Sequence, residues 1–227
     1  MRRRRRNSVG IWITLLIVFV LLAIFGFFFW KVFTVKNSPE FSGEPKTQYL
    51  FIDKENSEGY YIVVDKTMRM VNIIKIKNHM YHPEFNKEIN FSSPVLSLEI
   101  LKDMFNTNAV YSYYAILESG RVLELSKKYG FNSTNFGEFL QSMTSRGLKL
   151  FDYFTLDSVM KIFRPETTLT KPAVAKLFDA LGKFSVRIRE LPTITKSSIK
   201  IKVGDKTLER LYIDLEKLNQ LKNEIGG

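Results

Sequence analysis

The sequence predicts an α/β protein with one N-terminal transmembrane helix, followed by a layered α/β domain in which a central mixed sheet is flanked by helices. Two observations lead to this prediction. Twenty residues near the N-terminus carry no charge, and the later segments alternate between β-branched or aromatic runs and runs with helical spacing. The first strand candidates, 48–53 and 60–65, are almost continuously apolar, which is typical of strands covered on both faces. A layered arrangement therefore fits better than an exposed antiparallel sheet.

The uncharged run extends from Ile11 to Trp30 and reads IWITLLIVFVLLAIFGFFFW. At ~1.5 Å per helical residue it spans ~30 Å, the thickness of the hydrocarbon core of a bilayer. A buried core helix is rarely apolar over such a length. A cleaved signal peptide has a shorter apolar region and a small-residue cleavage site, and neither is found here. We therefore predict an uncleaved anchor over residues 11–33, bounded by Ile11 and Trp12 at one end and by Trp30 and Lys31 at the other.

Five consecutive arginines precede the anchor: Arg2, Arg3, Arg4, Arg5 and Arg6. Because cytoplasmic flanks carry an excess of basic residues, we predict that residues 1–10 form a basic cytoplasmic tail. The protein is then a single-pass protein of the cytoplasmic membrane, with its N-terminus inside and residues 48–227 forming an extracytoplasmic domain. A nucleic-acid patch is the alternative interpretation of the arginines, but their position against a membrane span explains them more simply, and they could also hold anionic lipid.

Composition limits the function of the outer domain. The chain of 227 residues has a net charge of +11, but residues 1–33 hold six of the 34 basic residues and no acidic one. The rest of the chain contains 28 basic and 23 acidic residues. Its basic residues are spread out rather than clustered, which argues against a nucleic-acid partner. The absence of cysteine excludes disulfides, thiol catalysis and cysteine metal sites.

Beyond the anchor, residues 34–47 are rich in Pro, Gly, Ser and charge and are predicted to be a linker. Strands are predicted at 48–53, 60–65, 71–77, 109–117 and 198–203. Helices are predicted from Pro94, over 120–129, 135–143 and 156–163, from Pro172, and from a cap at Asp205 or Thr207 to residue 226. Between 78 and 93 we expect a solvent-facing loop, in which His79 and His82 are loop residues rather than a metal pair.

No standard catalytic or metal-binding motif is present, so no catalytic or metal residue is assigned. Arg187 and Arg189 alternate and would share one face of a strand. Such a pair could hold a phosphate, but a solvated basic edge is the preferred interpretation.

Part of the sequence resembles a known family. The order of the predicted elements and two stretches of sequence are similar to those of the LytR-CpsA-Psr proteins. The stretches are Ser97–Phe131 (SLEILKDMFNTNAVYSYYAILESGRVLELSKKYGF) and Lys87–Asn90 (KEIN). These are bacterial cell-envelope enzymes that transfer polyprenyl-pyrophosphate-linked glycopolymers onto peptidoglycan. The resemblance implies an apolar tunnel for the polyprenyl chain between sheet and helices, with arginines on the pyrophosphate and acidic residues on magnesium.

The family's functional residues are mostly replaced. Its Arg-Ser-Asp segment is matched by Ser57–Tyr60, and its Pro-Arg-Asp segment by Lys77–His79. The helix aspartate is matched by Ser126 and a closing glycine by Tyr129, while Arg164 alone stands where the family has several arginines. These losses remove the charge on which phosphoryl transfer depends.

Three functions therefore remain open. The first is a degenerate, non-catalytic binder of polyprenyl-(pyro)phosphate-linked intermediates or of partner enzymes, a pseudoenzyme without a cofactor. The second is an active, divergent glycopolymer phosphotransferase that uses magnesium. The third is an unrelated membrane-anchored protein-interaction scaffold. The ligand-binding candidates that would replace the lost arginines are Lys75, Lys77, Lys87 and Arg164. The predicted partners are the bilayer and either a polyprenyl-phosphate lipid or envelope-assembly proteins.

Overall fold

A computed structural model describes residues 8–203 and 206–225 of the chain. The helices are α1 Ser8–Lys36, α2 Pro94–Met104, α3 Ser119–Lys128, α4 Phe136–Arg146, α5 Asp152–Phe163, α6 Lys171–Lys183 and α7 Leu215–Ile225. The strands are β1 Lys46–Asp53, β2 Glu58–Asp65, β3 Met70–Lys77, β4 Met80–His82, β5 Lys87–Ile89, β6 Tyr111–Leu117, β7 Ser185–Glu190, β8 Ile199–Val203 and β9 Lys206–Tyr212. The predicted α/β class, with one apolar N-terminal helix, is confirmed.

The central sheet has five strands in the order β6-β1-β2-β3-β7. Strands β1, β2 and β3 form an antiparallel meander, while β6 pairs in parallel with β1 and β7 in parallel with β3. The sheet is therefore mixed, as predicted. A second sheet has the order β5-β4-β9-β8.

Both faces of the central sheet are buried along β1 and β2, which explains why these two strands lack polar alternation. Tyr49 and Phe51 point into an apolar cluster formed with α3, α4, α5 and α6. Leu50 and Ile52 point to the other face, into a cluster with α2, α7 and the small sheet. The fold is therefore layered, with helices on both sides of the sheet.

Helix α1 is the one helix of the described chain that is long and apolar enough to cross a membrane, and this holds for Trp12–Lys36. None of its most apolar window is buried against the domain, unlike a core helix of a soluble protein. Trp12 and Trp30 are both largely exposed. The helix contains Ile11 and ends three residues beyond the predicted anchor. Arg2–Arg6 lie outside the described residues.

The segment 34–47, predicted as a linker, is packed against the domain. Helix α1 continues through Lys36, and a π-helical turn, Pro39–Gly43, follows and contacts α6. The Thr170 hydroxyl donates a hydrogen bond to the Glu40 carboxylate, and Lys66 Nζ donates to the Ser42 carbonyl at 2.8 Å. This packing ties the end of α1 to the sheet.

The prediction for the last helix was wrong at its start. Strand β9, which pairs with β8 and β4, replaces the predicted first turns, and Asp205 lies outside the described residues. Helix α7 begins after Asp214, whose carboxylate accepts from Lys217 N at 3.2 Å. The residues 207–212 fit both the spacing of a helix and that of a strand, and pairing with neighbouring strands selects the strand.

The region 78–93 also differs from the prediction, because it contains the strands β4 and β5. His82 is 1 % exposed and its ring stacks on Phe85 with 4.1 Å between the centroids. Burial lowers the pKa of His82. His79 is partly exposed and its Nδ1 lies 2.7 Å from Glu88. The expectation of a solvent-facing loop was therefore wrong for His82.

Candidate ligand cleft

An open cleft of about 590 Å³ lies at the carboxyl ends of β1 and β6, against the start of α2. Ligands of α/β proteins commonly bind at the carboxyl ends of parallel strands, and the parallel pair β1–β6 brings two such ends together here. The residues that line the cleft are Ile52, Lys54, Ser57, Asn78, Phe91, Ser92, Pro94, Tyr114, Ile116, Pro165 and Glu166.

The cleft brings together three segments that the sequence resemblance matched to functional motifs of the LytR-CpsA-Psr family. Ser57 comes from the turn between β1 and β2, Asn78 follows β3, and Pro165 directly follows Arg164. They are far apart in the chain and meet only through the order of the strands. The described fold therefore has a cleft at the place where the resemblance predicts the functional site.

Local hydrogen bonds shape the walls of the cleft. Asp53, fully buried at the end of β1, accepts from Asn56 N at 3.2 Å and from Asn56 Nδ2 at 2.9 Å, which closes the turn that carries Ser57. Asn78 Oδ1 accepts from Phe91 N at 2.9 Å and so joins the segment after β3 to the segment before α2. Asp53 is therefore a turn residue, as expected for an isolated acid at a strand end.

The cleft is close to neutral. Lys54 and Glu166 are its charged lining residues, and Lys54 Nζ lies 3.9 Å from Glu118. A small adjoining recess contains Arg121, whose guanidinium donates to the carbonyls of Ile162, at 3.0 Å, and of Arg164. Within residues 8–203 and 206–225, no group of three His, Asp or Glu side chains could hold a metal ion.

Two of the ligand-binding candidates predicted from the sequence lie on β3. Lys75 Nζ is 2.6 Å from Glu58, and the same carboxylate accepts from the Tyr60 hydroxyl at 2.9 Å. Lys77 is exposed and stands opposite Glu58 in the β2–β3 register. Neither lysine is among the residues that line the cleft.

The other two candidates also lie outside the cleft lining. Lys87 is on β5 with its Nζ 3.5 Å from Asp103. Arg164 is exposed at the end of α5, and its backbone carbonyl, not its side chain, is bonded to Arg121. The structure thus disperses the four candidates, and their binding of a ligand stays a prediction.

Sequence reasoning missed Lys54, Tyr114 and Arg121. A signal for Lys54 was available, because it directly follows a buried strand and side chains at such ends gather at one sheet edge. The position of Arg121 gave no such signal, since it depends on how α3 packs against α5.

Aromatic side chains fill the layer between the sheet and helices α3–α6. Phe51 stacks on Phe136 at 4.6 Å between centroids. Tyr129, which replaces a glycine of the family pattern, packs its ring against Phe178 at 5.3 Å. Ser126, which replaces the helix aspartate, is fully buried, and its Oγ has no hydrogen-bond partner among the described residues. A glycine at 129 would leave the volume of that ring empty.

The two arginines of β7 interact with the last helix. Arg187 donates to the Glu224 carbonyl at 2.6 Å, and Arg189 Nε lies 3.4 Å from the Glu224 carboxylate. Both are exposed, as expected for a solvated basic edge.

No protein-family model and no curated protein matches this chain. Among solved structures, the Lin1025 protein from Listeria innocua is similar with a TM-score of 0.53 and 13% identity, covering 80% of this chain and 97% of that one. Lmo1026 from Listeria monocytogenes follows with a TM-score of 0.49 and 11% identity, over 79% of this chain and 95% of that one.

A further similar structure is the LytR-CPS2A-psr family protein YwtF (TagT) with bound octaprenyl pyrophosphate lipid. Its TM-score is 0.47 at 9% identity, over 81% of this chain and 90% of that one. At these identities the similarity concerns the fold. The chain has a LytR-CpsA-Psr-like fold, as its sequence resemblance implied.

Proposed function

We propose that this protein is a membrane-anchored, non-catalytic LytR-CpsA-Psr-like protein of bacterial cell-envelope assembly. Helix α1 holds it in the cytoplasmic membrane with the domain outside. Its cleft binds the glycan end of polyprenyl-(pyro)phosphate-linked intermediates. The observation that carries this proposal is a cleft that occupies the position expected for the family's functional site with a nearly neutral lining.

The charge of the cleft argues against phosphoryl transfer. A transferring pyrophosphate needs several cations or a metal ion to stabilise the charge that develops on its oxygens. Here the cleft lining holds one basic residue, Lys54, and one acidic residue, Glu166, and two carbonyls already occupy part of the guanidinium of Arg121. The candidates Lys75 and Lys87 are held by carboxylates.

The lining suits a neutral, hydroxyl-rich ligand. Ser57 and Ser92 are exposed hydroxyls, and Tyr114 is a half-exposed phenol. Ile116 and Pro165 add apolar surface beside them. Pockets with a few polar groups on an apolar wall recognise ligands that have both kinds of surface, as sugars do.

The packed helix layer favours a polyprenyl chain that stays in the bilayer. The ring of Tyr129 lies among Phe139, Phe178 and the guanidinium of Arg146, where the family pattern has a glycine. We therefore propose that the cleft binds the glycan and that the polyprenyl chain stays in the membrane.

Binding to full-length protein in nanodiscs that contain a polyprenyl-pyrophosphate-linked saccharide tests the proposal. We expect saturable binding without magnesium, which Ser92→Trp weakens by occupying part of the cleft. Ser197→Trp, at an exposed serine outside the cleft, is the matched control and should bind normally.

The same samples, supplied with magnesium and a peptidoglycan acceptor, test for catalysis. We expect no transfer of the saccharide. Magnesium-dependent transfer would support the divergent transferase instead, and an absence of binding in all variants would support the interaction scaffold.

A further inference from the structure

The connection between α4 and α5 exposes two large apolar side chains. Leu150 is 58 % exposed and Phe151 is 69 % exposed, directly after Lys149 and directly before α5. We call residues 149–151 the α4–α5 tip. In water, two adjacent exposed side chains of this size are unfavourable and commonly mark an interaction surface.

The tip lies beside α1. The rings of Phe28 and Phe151 are 6.0 Å apart between centroids in an edge-to-face arrangement, and Phe28 lies 4.1 Å from Phe154 of α5. Between the tip and α1 runs an open groove of about 610 Å³. It is lined solely by apolar residues: Leu21, Ile24, Phe25, Phe28, Phe29, Val32, Leu150 and Phe151.

The position of these contacts along α1 gives the depth of the tip. With a rise of ~1.5 Å per residue, Phe28 lies about 3 Å and Leu21 about 13 Å below Trp30 along the helix axis. Trp30 is where the indole ring would lie at the membrane surface. The tip, beside Phe28, therefore lies at the upper end of the acyl chains whenever α1 spans the bilayer, and the groove reaches deeper, to the level of Leu21.

Polar contacts hold α1 and the tip in this relation. Asp157 of α5 forms an ion pair with Lys31 of α1 at 3.6 Å and another with Lys171. These lysines hold the pKa of the Asp157 carboxyl below its usual range. The carboxylate of Asp152 accepts from Lys149 N at 2.7 Å, which fixes the backbone of the tip.

We propose that the α4–α5 tip is a second membrane-inserted element, with Leu150 and Phe151 among the acyl chains beside α1 and Lys149 at the phospholipid headgroups. The occupant of the groove is acyl chain, because the groove is continuous with the lipid-facing surface of α1 and holds no polar lining residue. Insertion fixes the orientation of the domain on the membrane. The inference rests on α1 spanning the bilayer, as proposed above.

The chain contains no cysteine, so single cysteines can be labelled without background. An environment-sensitive fluorophore at Phe151→Cys, and in a second variant at Leu150→Cys, is measured in full-length protein in liposomes with and without acyl-chain spin-label quenchers. Phe19→Cys, in the middle of α1, reports the anchor. Ile194→Cys serves as the matched control. Ile194 is exposed and apolar, and it follows β7 at the end of the sheet opposite the π-helical turn.

We expect blue-shifted emission at 150 and 151 with quenching by spin labels near the glycerol end of the acyl chain, quenching at 19 by deeper spin labels, and neither effect at 194. Quenching at 19 alone would overturn the proposal and leave the anchor intact. Blue-shifted emission at 151 without quenching would indicate a protein contact, such as a second copy, and would also overturn it. An absence of quenching at 19 would refute both this proposal and the membrane anchor.

Discussion

The contact between Gly147 and Gly182 allows a sharp test of the packing that carries the α4–α5 tip. Gly147 ends α4 with φ 62° and ψ −170°, a conformation that is essentially restricted to glycine. A Cβ added at Gly182 would lie 2.3 Å from Gly147 Cα. Both partners are backbone, so no side-chain rotation relieves the overlap, and the end of α6 must move away from the end of α4.

For Gly182→Ala two effects oppose each other. Replacing glycine by alanine in a helix stabilises by at most about 1 kcal/mol. To restore ordinary van der Waals contact, the two backbones must separate by about 1.5 Å, and overpacking of this kind costs about 1–3 kcal/mol or more. We expect a net loss of about 1–2 kcal/mol, which lowers the Tm by about 2–8 °C for a domain of this size.

Gly120→Ala is the matched control, since Gly120 also lies in a helix but a Cβ there meets nothing within 4 Å. Its Tm should stay the same or rise. Both tryptophans lie in α1, so tryptophan fluorescence would report the anchor; thermal unfolding in mild detergent is better followed by the near-UV circular dichroism of the domain's tyrosines. Equal Tm values for the two variants would refute the close approach of α4 and α6.

Three further substitutions test other parts of the domain. Burial lowers the pKa of Lys176 to about 8 from 10.5, so below pH 8 the amine is charged in both the folded and the unfolded state. Between pH 8 and 10.5 the unfolded chain binds more protons than the folded one. The free energy of unfolding should therefore rise by at most about 3 kcal/mol over this range. Lys176→Met should flatten this rise in denaturant unfolding at pH 7.5 and 10; an unchanged slope would contradict the assignment. Asp152→Ala leaves the partly buried guanidinium of Arg146 without its two contacts at 2.6 and 2.9 Å and should cost about 1–3 kcal/mol. The loss should be less than additive when Arg146→Ala is combined with it, and additive Tm changes would disprove the coupling. Asp53→Ala removes both acceptors of Asn56 and should cost about 1–3 kcal/mol by the same unfolding assay, whereas wild-type stability would show that the turn closes without them.

Local patterns predicted most of the regular structure. Strands β1, β2 and β3 were predicted because β-branched and aromatic runs between turn residues have few other stable conformations. The helix α6 followed from Pro172 in its first turn and one apolar face. The predicted α2 was correct in its start at Pro94.

The candidate site was predictable only in part. The sequence resemblance pointed to the segments at Ser57, Asn78 and Arg164, and these segments do reach one cleft. The lysines at the site could not be chosen from the sequence. Nothing in the sequence shows a partner for Lys75, but its Nζ lies 2.6 Å from Glu58 on the neighbouring strand. A lysine's partner across a sheet depends on strand register, which single-sequence patterns do not specify.

The sequence by itself determined the membrane-length helix and the layered α/β class. These depend on composition and local spacing, which act on each segment separately. Only the tertiary structure decided that β9 is a strand, that His82 is buried and that Tyr129 fills the helix layer. It also decided that Phe151 lies beside Phe28. Each of these depends on contacts between residues far apart in the chain, where pairing and packing override local preference.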